Sequence, residues 1–198
     1  MSETAVIPQS PVEVWSLPSR GIVAMSCLIL AEAAIFIIFI VAYIFYIGKS
    51  LSGPTPHDVL SLPILSTICL LSSSFTVHKS VSALHGSGRQ RCSLWLGLTV
   101  LLGSIFLAAT AREWYELIYH DGLSIKTNLF GTTFFSLVGL HATHVIAGLL
   151  MLSLAFVLSL HGHLTTRHTE RLEVVSLYWH FVDAVWVIVF VVVYVLGR

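Results

Sequence analysis

Residues 174–197 form an apolar run broken by one ionisable pair, His180 and Asp183, within Tyr178-Trp179-His180-Phe181-Val182-Asp183-Ala184-Val185-Trp186. At ~1.5 Å of helical rise per residue, such a run crosses the hydrocarbon core of a bilayer. An Asp near the centre of a membrane helix costs roughly 2.5–3.5 kcal/mol on insertion scales. Asp183 and His180 must therefore face protein or trapped water, and the run marks an interior surface of a membrane bundle.

The rest of the chain fits that constraint. Only 10% of residues are charged and 56% are hydrophobic, with a mean hydropathy of +0.89, against roughly 25% charged residues in soluble domains. Five apolar stretches, approximately 21–47, 60–84, 94–119, 129–160 and 174–197, predict an all-α integral membrane bundle of five transmembrane helices. Connections of about 9 to 13 residues favour antiparallel packing of sequential helices, and no loop is large enough to fold alone. The expected organisation is an extended cytoplasmic tail over 1–20 followed by a five-helix membrane domain over 21–198.

Residues 1–20 carry Glu3, Glu13, three prolines and a single basic residue, Arg20, which is the wrong charge pattern for a signal peptide. The segment is expected to be retained. With five spans the two ends lie on opposite sides. Arg20, Lys79, Arg89, Arg91, Arg167 and Arg171 fall on the side of the N-terminus, whereas Lys49, Arg112, Lys126 and Arg198 fall on the other. The positive-inside rule then places the N-terminus in the cytoplasm and the C-terminus outside. With zero formal net charge and no basic helix, nothing points to nucleic acid as a partner. Cys27, Cys69 and Cys92 are widely spaced, with no CxxC pair, and are expected to be buried structural residues.

Any chemistry must come from polar residues inside the spans. Glu32 stands ~16 Å into the first span at helical rise, near the midplane. His141 and His144, three apart, share one face near the middle of the fourth span. His180 and Asp183 lie roughly 9 to 14 Å into the fifth. Glu32, His141, His144, His180 and Asp183 are thus candidates for one intramembrane polar layer.

Three readings of that layer compete. As a metal site it matches poorly, because four-helix di-metal sites use Glu-x-x-His on two helices plus two further glutamates. As a carrier it has Glu32, since intramembrane carboxylates are functional by default, but lacks paired half-repeats and broken helices. As a packing device, Glu32 bonds a histidine, and Asp183 bonds His180 or another neighbour. At the membrane surface, Arg167, His168 and Arg171 are candidates for an anionic lipid headgroup, set against ordinary positive-inside charge. In the fourth span, Thr132, Ser136, Gly139, Thr143 and Ala147 form a small-residue stripe; if it packs against other helices, that span is the centre of the bundle.

The motif around His180 and Asp183, with Glu173 seven residues before His180, resembles the terminal helix of subunit III of the haem–copper terminal oxidases. Gly131-Thr132-Thr133-Phe134-Phe135 and Gly139-Leu140-His141-Ala142-Thr143-His144-Val145-Ile146-Ala147-Gly148 are similar to that family's penultimate helix. Glu113-Trp114-Tyr115-Glu116 resembles its acidic-aromatic cluster, and Ala31-Glu32 matches its intramembrane carboxylate. Many members have seven helices; this chain resembles the shorter, five-helix bacterial form. The resemblance implies an accessory subunit of the bacterial plasma membrane with no haem, copper, other metal or catalytic residue of its own. It would pack against the catalytic haem–copper subunit I, beside other oxidase subunits and phospholipids, and support proton uptake and durable turnover. Electrons would come from cytochrome c or quinol. An accessory protein of a nitric oxide reductase and a proton-coupled membrane carrier are the alternatives.

Overall fold

The computed structural model describes residues 19–50, 53–60, 62–86, 88–165 and 168–197. The expected tail up to residue 18 and Arg167 lie outside the described residues. The helices are α1 (Arg20–Tyr46), a short α2 (Pro56–Val59), α3 (Ile64–His85), α4 (Arg89–Tyr119), α5 (Leu129–Leu160) and α6 (Thr169–Phe190), the last continued by a π-helical turn, Val191–Leu196. Five of these are long and apolar enough to cross a membrane.

The helices overrun the apolar stretches at several ends. The apolar stretch starting near residue 94 is preceded by a helical turn from Arg89, and the second and third spans are joined by residues 86–88 alone, not the longer connection expected. Intrahelical hydrogen bonding does not stop where the hydrocarbon stops, so polar residues extend a helix into the headgroup region. Local sequence fixes several termini. The Ser19 hydroxyl accepts from the Ile22 N–H at the start of α1. At the start of α5, Asn128 Oδ1 accepts from the Gly131 N–H at 2.8 Å, and Asn128 Nδ2 donates to the Pro54 carbonyl, tying the α1–α3 connection to that cap. Gly162, with φ +77°, supplies the left-handed turn after α5.

Helices α3, α4, α5 and α6 pack in a ring, each against the next and α6 back against α3, while α1 lies outside against α5 and α6. The fifth span, α6 with its π-helical turn, is the most buried of the five: half of its most apolar window is buried, against 33% for α3, 28% for α4, 22% for α5 and 11% for α1. The small-residue stripe of α5 does not make that helix central. Thr132, Thr143 and Ala147 are exposed and Ser136 and Gly139 half-buried, whereas Phe134, Leu137, Val138, His141, Val145, Gly148 and Leu152 face inward. The reason is steric. The Trp179 indole of α6 fills slots at Gly148 of α5 and Gly103 of α4, where an added Cβ would lie 2.7 Å and 3.1 Å from its ring atoms, and that docking sets the rotation of α5.

Polar links inside the bundle also join the helices. Trp179 Nε1 donates to Ser73 Oγ at 2.8 Å, Trp186 Nε1 to Thr67 Oγ1 at 3.2 Å, and the Thr76 and Thr99 hydroxyls meet at 2.8 Å. Among the cysteines only Cys92 is buried; Cys69 is half-buried and Cys27 exposed, because α1 covers the ring with one side and turns its others outward.

Candidate functional site

The residues expected in one polar layer separate into two clusters and one isolated ring. On the α1–α5 seam, Glu32 Oε2 lies 3.1 Å from His144 Nε2, and His144 Nδ1 lies 2.8 Å from the Leu140 carbonyl. A carbonyl only accepts, so Nδ1 carries hydrogen. It follows that Nε2 either accepts from a protonated Glu32 or, as imidazolium, donates to the carboxylate. Either way one proton is shared and the pair is neutral overall, which is the state a low-dielectric interior tolerates.

His141 has a different environment. It is 1% exposed and neither ring nitrogen has a hydrogen-bond partner among the described residues. Its ring lies on Trp186 at 4.9 Å between centroids, with Phe106 at 6.1 Å and Phe36 at 6.4 Å edge-on. Glu32 therefore meets His144 and not His141.

The second cluster lies on the α3–α6 seam. His180 Nδ1 is 3.0 Å from Ser74 Oγ, and the same hydroxyl donates to Asp183 Oδ2. Ser176 Oγ is 3.3 Å from His180 Nε2. Asp183 is 3% exposed. Phe36 and Phe181, with ring centroids 6.3 Å apart, stand between α1 and α6, and among the described residues no hydrogen bond joins this cluster to Glu32 and His144. Ser74 is the residue that reading from sequence missed, since one serine in a serine-rich helix carries no distinguishing signal.

A third pairing, also unforeseen, lies toward the C-terminal end of α6, where Tyr194 Oη donates to Glu113 Oε1 at 3.0 Å. Its sequence signal was a carboxylate at the end of an apolar stretch, with no indication of a partner. The π-helical turn carries Tyr194 and so takes part in placing its hydroxyl at α4. Near the opposite end, His85 Nε2 meets Glu173 Oε1 at 2.8 Å.

Of the residues considered for a lipid headgroup, His168 caps α6 and its Nδ1 meets the Thr165 hydroxyl at 3.0 Å. Arg171 is exposed. Both border a groove of about 500 Å³ between α5 and α6, with His163 at its polar end and Met151, Leu154 and Leu158 along its apolar wall.

This arrangement can hold and exchange protons and fasten helices together. Among the described residues no three His, Cys, Asp or Glu side chains converge as a metal site would require. Fold and site thus define a small polytopic membrane bundle whose inner carboxylates Glu32, Asp183 and Glu113 are each bonded to a side chain of another helix. The sequence pattern of "Cytochrome c oxidase subunit III" matches residues 20–198. A cytochrome c oxidase subunit 3 of Synechocystis sp. is 37% identical over 172 residues, 85% of this chain and 72% of the relative. One from Bacillus sp. (strain PS3) is 33% identical over 84% and 81% of the two chains, and a cytochrome bo(3) ubiquinol oxidase subunit 3 of Pseudomonas aeruginosa is 33% identical over 85% and 81%. The chain belongs to the cytochrome c oxidase subunit III family, the accessory subunits of terminal oxidases.

Proposed function

We propose that the chain is the haem-free subunit III of a bacterial respiratory oxidase, lying in the plasma membrane with its N-terminus cytoplasmic and packed against the haem–copper subunit that reduces oxygen. The redox chemistry, with electrons from cytochrome c or quinol, belongs to that partner. This chain supports proton uptake and durable turnover and has no catalytic residue of its own. The observation carrying the reading is the engagement of the inner carboxylates across helix seams: Glu32 with His144, Asp183 with Ser74 and Glu113 with Tyr194. Such bonds fasten helices and hold protons locally.

The groove between α5 and α6 supports a second part of the role. An apolar wall ending at His163, His168 and Arg171 has the shape and charge to take an acyl chain and an anionic phospholipid headgroup, with Arg167, outside the described residues, adjacent in sequence.

The test is the oxidase complex purified with and without this chain. Equal haem and copper content and initial oxygen consumption, with faster loss of activity during turnover when the chain is missing, is the expected result. Loss of haem or copper along with the chain would overturn it, as would a haem absorption band in the chain purified alone. Proton flux through liposomes holding only this chain would instead establish the carrier.

A further inference from the structure

Two polar stripes face each other across the α3–α6 seam. On α6, Glu173, Ser176, His180 and Asp183 follow at intervals of three, four and three residues, the spacing of a single helix face. On α3, Ser74, His78, Ser82 and His85 follow at four, four and three. Between them runs a groove of about 350 Å³ bordered by His78, Ser82, His85, Glu173, Ser176 and His180. It begins at the His85–Glu173 pair at the end of α3 and reaches His78 and His180, ~10 Å deeper at helical rise, with Ser74 and Asp183 beyond its inner end. Lipid is a poor neighbour for such a face.

The hydrogen bonds at its inner end have a direction. Asp183 Oδ2 accepts from Ser74. Ser74 has one hydroxyl hydrogen, so toward His180 it must accept, which places hydrogen on His180 Nδ1. His180 Nε2 is then the acceptor for Ser176. The donors therefore point in series from the groove to a carboxylate that is 3% exposed and whose other oxygen, Oδ1, has no hydrogen-bond partner among the described residues.

We propose that the α3–α6 groove admits water from the His85 end and that Ser176, His180 and Ser74 relay protons between it and Asp183. On loading, a proton from groove water reaches Ser176, whose own hydroxyl proton passes to His180 Nε2. His180 Nδ1–H passes to Ser74 Oγ, and the Ser74 hydroxyl proton passes to Asp183 Oδ2. One proton enters, one carboxylate becomes a carboxylic acid, and His180 changes tautomer; release runs the steps backward. The relay ends inside the bundle, so it stores and returns protons to the side they came from. Among the described residues, the titratable groups facing it are His78 and His85 from α3 and Glu173 from α6; Glu32, His141 and His144 lie toward the α1–α5 side. The proposal rests on the proton-supporting role above, but can fail without it: loss of durability on removing the whole chain tests that role, and water access to this groove tests the relay.

Two measurements on the complete oxidase complex decide it. With Cys27, Cys69 and Cys92 replaced by Ser, Ser176→Cys should react with a membrane-impermeant methanethiosulfonate from the His85 side only, whereas Ala184→Cys, exposed on another side of α6, should not. Infrared difference spectra between the parent and Asp183→Asn should show a carboxylic acid band that shifts in D2O, and Ser74→Ala should slow that exchange by about tenfold or more, because the charge-assisted hydrogen bond that delivers the proton to Asp183 is lost. The relay is wrong if Ser176→Cys is unreactive from both sides, which would assign the groove to a partner's helix. It is equally wrong if no carboxylic acid band is lost, or if exchange in Ser74→Ala is as fast as in the parent.

Discussion

Replacing Glu32 separates a fastening role from a charge requirement. Its Oε2 lies 3.1 Å from His144 Nε2, with the two side chains 26% and 13% exposed. The His144 ring is held from its other side by the Leu140 carbonyl and cannot turn to find a new partner without losing that bond. Glu32→Ala therefore leaves Nε2 unpartnered in the bundle. Interhelical hydrogen bonds in membranes average about 0.6 kcal/mol and reach about 1.7, while leaving a buried polar atom unpaired costs about 1–3 kcal/mol. The second figure already includes the lost bond, so the expected loss is about 1–3 kcal/mol. Glu32→Gln keeps a donor for neutral His144 and should lose less than about 0.6 kcal/mol. Equilibrium unfolding of the purified chain in mixed micelles with rising SDS fraction gives both numbers. If Gln destabilises as much as Ala, the pair needs its charge; if Ala is neutral, the bond does not fasten α1 to α5.

Gly148→Ala should destabilise by about 1–3 kcal/mol through overpacking against Trp179, and combining it with Trp179→Phe should cost less than the sum of the two single changes, as a double-mutant cycle would show. His141→Phe removes two nitrogens without partners from an aromatic surround, so its stability should stay within about 1 kcal/mol of the parent or rise; a larger loss in the same unfolding assay would mean those nitrogens are satisfied. Replacing Arg167, His168 and Arg171 together with Gln should reduce anionic phospholipid co-purifying with the complex, measured by lipid mass spectrometry, and an unchanged lipid content would remove the headgroup assignment.

Hydropathy along the chain was enough to locate five spans, since the cost of an unpaired backbone in hydrocarbon admits few alternatives to long apolar helices. Polar residues inside those spans were equally visible, because Glu32, His141, His144, His180 and Asp183 stand out against Leu, Val and Phe. The motifs of the last two spans also sufficed for the family resemblance. Rotation of each helix about its axis was not legible. It decides that Glu32 meets His144 rather than His141, that His180 and Asp183 turn toward α3 and Ser74, and that the small-residue stripe of α5 lies outward. It is set by how bulky side chains of one helix fit the gaps of another, as Trp179 fits at Gly103 and Gly148. That fit joins residues distant in sequence. Periodicity within one helix says which residues share a face, whereas only packing says which face is buried and what it touches.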